Sequence, residues 1–114
     1  MNWYIAKLVF RIVCGDGEHT PQFDEQLWLV SAKNEQEALQ KSRINGTREA
    51  KNLSEGDDDI VKWEFIDIAD VQKLSSLEDG VSLYSKSEEA EDATMYIDYV
   101  KFKAQSIEHR AFMN

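Results

Sequence analysis

The sequence predicts an α+β domain. It should hold an antiparallel sheet that opens with a long β-hairpin, one short helix after the second strand, and a longer C-terminal helix packed on the sheet. Three observations lead there. Residues 3–13 and 23–32 alternate with period two on either side of a Gly-rich turn, residues 34–46 carry helix start and stop signals, and from Ala93 apolar residues recur at steps of four and three.

In the first strand Tyr4, Ala6, Leu8, Phe10 and Ile12 share one wholly apolar face. The other face, Trp3, Ile5, Lys7, Val9, Arg11 and Val13, is mixed. The connection "CGDGEHTPQFDEQ" punctuates strongly: Gly15 and Gly17 supply positive φ, and Asp16 and Asp24 can bond local amides. A second strand follows from about Phe23 to Ala32. Asn34 is then a helix N-cap with Glu37 in capping-box position, and Gly46 is the expected C-cap. Residues 47–59 read as a short weak strand and a solvated turn ending in "EGDDD". "IVKWEFIDIADVQKL", residues 60–74, is apolar on both faces and reads as a central strand, followed by a turn at "LEDG" and a further strand at "VSLYSK".

The last element rests on Ala93, Ile97, Val100, Ala104, Ile107 and Ala111, which fall on one side of a helix of about five turns. A strand over Met95 to Phe102 fits the local alternation, but the longer register favours the helix. No repeat, linker or low-complexity tract divides residues 1–114, and a chain of this length can bury the core of one domain without disulfides or metal.

Composition narrows the function classes. Thirteen Lys and Arg against twenty-two Asp and Glu leave a net charge of −9, which repels nucleic-acid phosphates and anionic membranes. The nearest basic stretch, around Lys41, Arg43, Arg48 and Lys51, has no interleaved aromatics. Cys14 stands alone, so neither an intramolecular disulfide nor a sulfur-based zinc site can form in one chain. The N-terminal run carries Lys7 and Arg11 and reads as a strand rather than a leader. No run approaches the roughly 18 apolar residues of a membrane helix. The expected compartment is the cytoplasm, and the sequons at Asn45 and Asn52 are then chance matches.

Four blocks in order, "WYIAKLVFRI", "GDGEHTPQFDEQ", "WEFIDIADV" and "LEDGVSLYS", resemble the bacterial domain-of-unknown-function 4288 family over roughly Trp3 to Ser85. The resemblance implies a short, mostly single-domain protein and carries no catalytic residues with it.

The groups able to do chemistry gather in the opening turn: Asp16, Glu18, His19 and Asp24, with Glu25 beside them. A small hydrolase-like enzyme built on His19 needs a carboxylate to orient the ring and a nucleophile or metal within reach. His109 is remote and offers no short ligand spacing, Cys14 has no activating base beside it, and the "GxG" leads into a strand rather than a phosphate-binding helix start. We therefore expect no catalytic residue, no metal and no cofactor. Asp16, Glu18, His19 and Asp24 are candidate binding residues on an exposed loop, in which His19 adds little to stability if its ring is exposed. The expected function is that of a non-enzymatic interaction module, with a small hydrolase-like enzyme using the His19 loop as the alternative. Its partners are a second copy of the chain, because two strands are apolar on both faces, and a basic protein that meets the acidic surface.

Overall fold

The computed structural model describes residues 1–55 and 60–113. Among these, three strands and two helices follow in the order β1 (Asn2–Cys14), β2 (Gln22–Ala32), α1 (Glu35–Ser54), β3 (Val61–Lys73) and α2 (Ala93–Phe112). The sheet is antiparallel throughout, in the order β2-β1-β3, so the α+β class and the opening hairpin are as the sequence predicts.

β1 lies at the centre because it alone pairs on both edges, with β2 from Asn2–Ala32 to Ile12–Gln22 and with β3 from Tyr4–Lys73 to Cys14–Val61. β3 is therefore an edge strand, a correction to its reading as central. Its apolar residues on both faces come from two register shifts, between Lys7 and Leu8 and between Val9 and Phe10, which interrupt simple alternation.

The period-two pattern of β1 chooses the core face. Tyr4, Ala6, Leu8 and Phe10 are buried beneath α1, joined by Val30 and Ala32 from β2, with Phe65, Ile68 and Val71 of β3 packed against them. Phe10 sits between two β3 rings, 5.6 Å from Phe65 and 6.0 Å from Trp63 in an edge-on arrangement.

α1 begins as predicted: Asn34 is its N-cap, with Oδ1 accepting the Glu37 amide at 2.8 Å. It does not stop at Gly46. Ala38, Ser42, Gly46 and Ala50 recur every four residues, and all four are buried, so one narrow stripe of small side chains rides on the sheet over the whole helix. Small residues bring the helix close, and Gly46 is required by that approach: an added Cβ would meet three Phe65 ring carbons at well under 3.0 Å. The expected C-cap is in truth a packing glycine, and the expected weak strand from residue 47 is the helix's second half. At its end the Ser54 hydroxyl accepts the Trp63 amide at 2.9 Å and faces the Trp63 carbonyl oxygen at 3.3 Å, and Arg43 grips Asp67 through two hydrogen bonds at 2.9 and 3.3 Å.

The turn read at "LEDG" forms, with Gly80 at φ 86° and the Val81 amide donating to the Glu78 carbonyl. The expected strand at 81–86 does not; that segment is an irregular strap. The "EGDDD" turn lies largely outside the described residues. α2 forms where the four-three spacing places it, with Asp92 Oδ1 accepting the Met95 amide at 3.0 Å. Among the described residues it does not pack on the sheet: it contacts no other element, and every described residue in it is exposed. A helix carries its own backbone hydrogen bonds, so its spacing forms it without naming what it packs against.

Candidate functional site

The opening turn is built by its glycines. Gly15 and Gly17 have φ of 57° and 85°, the left-handed region where a Cβ is costly. The Gly15 amide donates to the Ile60 carbonyl at 2.7 Å, which ties the turn to the start of β3.

The four expected binding residues do not converge. Asp16 and Glu18 are exposed, and Asp16 Oδ1 accepts the Glu18 amide at 3.0 Å in a local Asx turn. Asp24 belongs to another network: it pairs with Phe10 on the α1 face and accepts from the Gln26 amide at 2.9 Å, while Gln26 Oε1 accepts the Trp28 indole N–H at 2.8 Å. His19 is half-buried, and backbone engages both its ring nitrogens. Nε2 accepts the Cys14 amide at 3.0 Å, and Nδ1 lies 2.9 Å from the Thr20 carbonyl oxygen, to which it donates. A general base needs a free nitrogen facing a reactant, and this ring has neither nitrogen free.

The ring is half-buried and pins the turn, so the exposure on which a small stability role for His19 depended is not met. We expect His19→Ala to cost about 1 kcal/mol, the usual net worth of such hydrogen bonds, with a further contribution from the orphaned Cys14 amide. Urea unfolding checks this; an unshifted midpoint would mean that the glycines alone hold the turn.

A denser arrangement lies on the sheet face away from α1. The register puts Trp3, Ile5, Lys7 and Arg11 of β1 on this face, opposite Ser31, Leu29, Leu27 and Phe23 of β2. Lys7 is at its centre, with its side chain only 12% exposed. Its ammonium pairs with Glu25 at 3.4 Å and lies 5.7 Å from the centre of the Tyr84 ring. The strap crosses here. Tyr84 donates its hydroxyl to Asp70 Oδ2 at 3.1 Å, and the Gln72 side-chain amide donates to the Ser85 carbonyl at 2.7 Å while accepting the Ser85 amide at 3.3 Å. One amide side chain thus does for the strap what a neighbouring strand would do.

Asp70 is held below the usual carboxylate range, chiefly by the hydrogen bond from Gln72 and then by those from Tyr84 and the Val71 amide, with Lys7 adding its charge. Burial pushes the Tyr84 phenol up, and the Asp70 carboxylate adds to that. The two shifts define a window. The Asp70 contribution is present above its unfolded value and is lost as pH falls through its lowered folded value. The Tyr84 contribution is present below the ordinary phenol value of about 10 and is lost as pH rises through its raised folded value. The strap is therefore expected to stay docked across neutral pH and to loosen at both extremes. An NMR titration of the Gln72 side-chain amide should show a midpoint below the ordinary carboxylate value; a midpoint at that value would separate strap docking from Asp70.

The sequence pattern alone does not single out Lys7, Asp70, Gln72 and Tyr84. A signal was present for Lys7, which with Arg11 carries the only charge in β1, whereas Asp70 and Gln72 are two of six polar residues in β3. Seeing that they meet needed the register.

Among the described residues no group of three His, Cys, Asp or Glu could hold a metal ion, and no helix is long and apolar enough to cross a membrane. Fold and site define a small α+β domain in which one sheet face is packed by a helix and the other is strapped by an extended segment. The chain belongs to the family described as "Domain of unknown function (DUF4288)", whose profile matches residues 3–85. The match ends where the strap ends, leaving α2 outside it. No curated protein and no solved structure matches the chain.

Proposed function

We propose that this protein is a non-catalytic interaction module that works as a homodimer through its open sheet face. One observation carries the reading: Trp3, Phe23, Leu27 and Leu29 stand on that face 42–59% exposed. Large apolar side chains clustered on one strand pair mark a surface that meets protein. Lys7, a half-buried cation on that face, is engaged by Glu25 and by the Tyr84 ring, which suits a structural role better than a nucleophile's.

The charge distribution supports the same reading. The five elements hold eleven of the thirteen Lys and Arg and ten of the twenty-two Asp and Glu, so the connections hold two cations and twelve acids. The five elements together are nearly neutral, and the excess of acid lies outside them in sequence. Two copies can then associate through these elements with little repulsion, and a basic partner protein would bind outside them, at Asp16 and Glu18 among other acids. The cytoplasm is the compartment we assign, where a lone half-buried thiol such as Cys14 stays reduced. Sedimentation velocity across micromolar concentrations tests the association. A species of twice 13.2 kDa is expected, and a monomer throughout would remove the reading.

A further inference from the structure

α2 has more apolar surface than one contact can cover. Ala93, Ile97, Val100, Ala104, Ile107 and Ala111 follow one another at steps of four and three, the spacing of a helix–helix seam. At 3.6 residues per turn Met95, Tyr99 and Phe102 fall on the far side of the helix. Both sets are open: Ile97 is 49% exposed, Tyr99 56% and Phe102 66%. A helix that is apolar on opposite sides is one that is buried between two partners. Docking on its own sheet would cover one side and leave the other in water.

We propose that α2 is a dimerisation arm: in a pair of copies each α2 lies through Met95, Tyr99 and Phe102 across the open sheet face of the other copy, and the two helices meet along Ile97, Val100, Ala104 and Ile107. The inference rests on the self-association proposed above and adds its route. Three observations favour a second copy as the occupant. Symmetry supplies both surfaces at once, a sheet for one stripe and an identical helix for the other. The elements that meet are close to charge-balanced: α2 has three cations and two acids, and β2, with two acids, lies beside β1, with two cations. The area also suffices. A whole aromatic side chain buries about 200 Å², so the half-exposed ones here hold on the order of 100 Å² each. Four on the sheet and six on α2, Met95, Ile97, Tyr99, Val100, Phe102 and Ile107, come to roughly 1,000 Å² per copy and twice that per pair, at the upper end of the range of about 1,200–2,000 Å² for a stable complex. The linker 86–92 spans at most about 25 Å when extended, enough to carry α2 off its own sheet.

The test uses the full chain with Cys14→Ser. One preparation carries Leu29→Cys on the sheet face and a second carries Tyr99→Cys on α2; they are mixed, allowed to exchange, and treated with a bis-maleimide of about 10 Å reach, chosen to span a helix-on-sheet contact. A cross-linked pair at least tenfold more abundant in the mixture than in either preparation alone is expected. If Leu29→Cys disturbs folding, Leu27→Cys on the same face replaces it. A dimer by sedimentation with no cross-link in the mixture would overturn the arm and leave the self-association standing. Cross-linking confined within single chains carrying both cysteines would overturn it in favour of a helix folded back on its own sheet. A monomer at all concentrations would end both.

Discussion

Gly46→Val is expected to lower stability by at least about 3 kcal/mol, the upper range for overpacking a core, or to prevent folding. The Phe65 ring that a side chain at position 46 would enter cannot swing aside freely, because Phe10 packs against it at 5.6 Å. Nor can α1 lift away: Ala38 and Ser42 are fully buried on one side of Gly46 and Ala50 nearly so on the other, and Arg43–Asp67 and Ser54–Trp63 clamp the helix to β3. Gly46→Ala sharpens the test, since in an unpacked helix it would gain about 1 kcal/mol of propensity. The clash outweighs that gain, and this variant too should unfold at lower urea. A Gly46→Ala protein as stable as the parent would mean that the helix rides high enough on the sheet to leave room for a methyl group over Phe65.

Leu29→Glu should weaken self-association at least 100-fold while leaving the folded monomer nearly as stable. Leu29 is 47% exposed in the single chain, so a carboxylate there can remain hydrated. In the pair it would be buried against the partner with nothing to compensate it, and 100-fold corresponds to about 2.7 kcal/mol, modest for an unpaired charge. Sedimentation equilibrium reads the dissociation constant and thermal unfolding at low concentration reads the monomer. An unchanged constant would place the interface elsewhere; a large loss of monomer stability would show that Leu29 serves its own core.

Much of the fold was legible because strands and helices announce themselves by period. Tyr4, Ala6, Leu8 and Phe10 mark the core face of β1, and Asn34 with Glu37 marks the start of α1. The errors share a cause. Gly46 looks like a stop signal, and only the nearness of Phe65, nineteen positions on, shows it to be a packing glycine. "VSLYSK" has the composition of a strand, but Gln72 offers its segment a side-chain amide in place of a strand edge. β3 reads as central because bulges blur its faces, and edge position is a property of the sheet rather than of one strand.

The site was less legible, for a related reason. The opening turn draws attention through reactive residue types held close in sequence, yet Asp24 bonds along β2 and His19 bonds backbone. The Lys7–Asp70–Tyr84 cluster draws on three segments up to 77 positions apart, and no local pattern unites them. The longest-range feature, an open sheet face and an uncovered helix in one chain, emerges only when the packing of every other element is known.

Amide hydrogen exchange of α2 at rising protein concentration tests most directly whether the open face and this helix form an interface. A lone helix of 20 residues in water frays and exchanges quickly, since most helical stability in proteins comes from packing. The amides of residues 97–111 should therefore be weakly protected at concentrations where the chain is monomeric. Their protection should rise together with that of β2 around Leu27 and Leu29 as dimers form. Protection of α2 that stays low at every concentration, or that is high already in the monomer, would contradict an interface between the two.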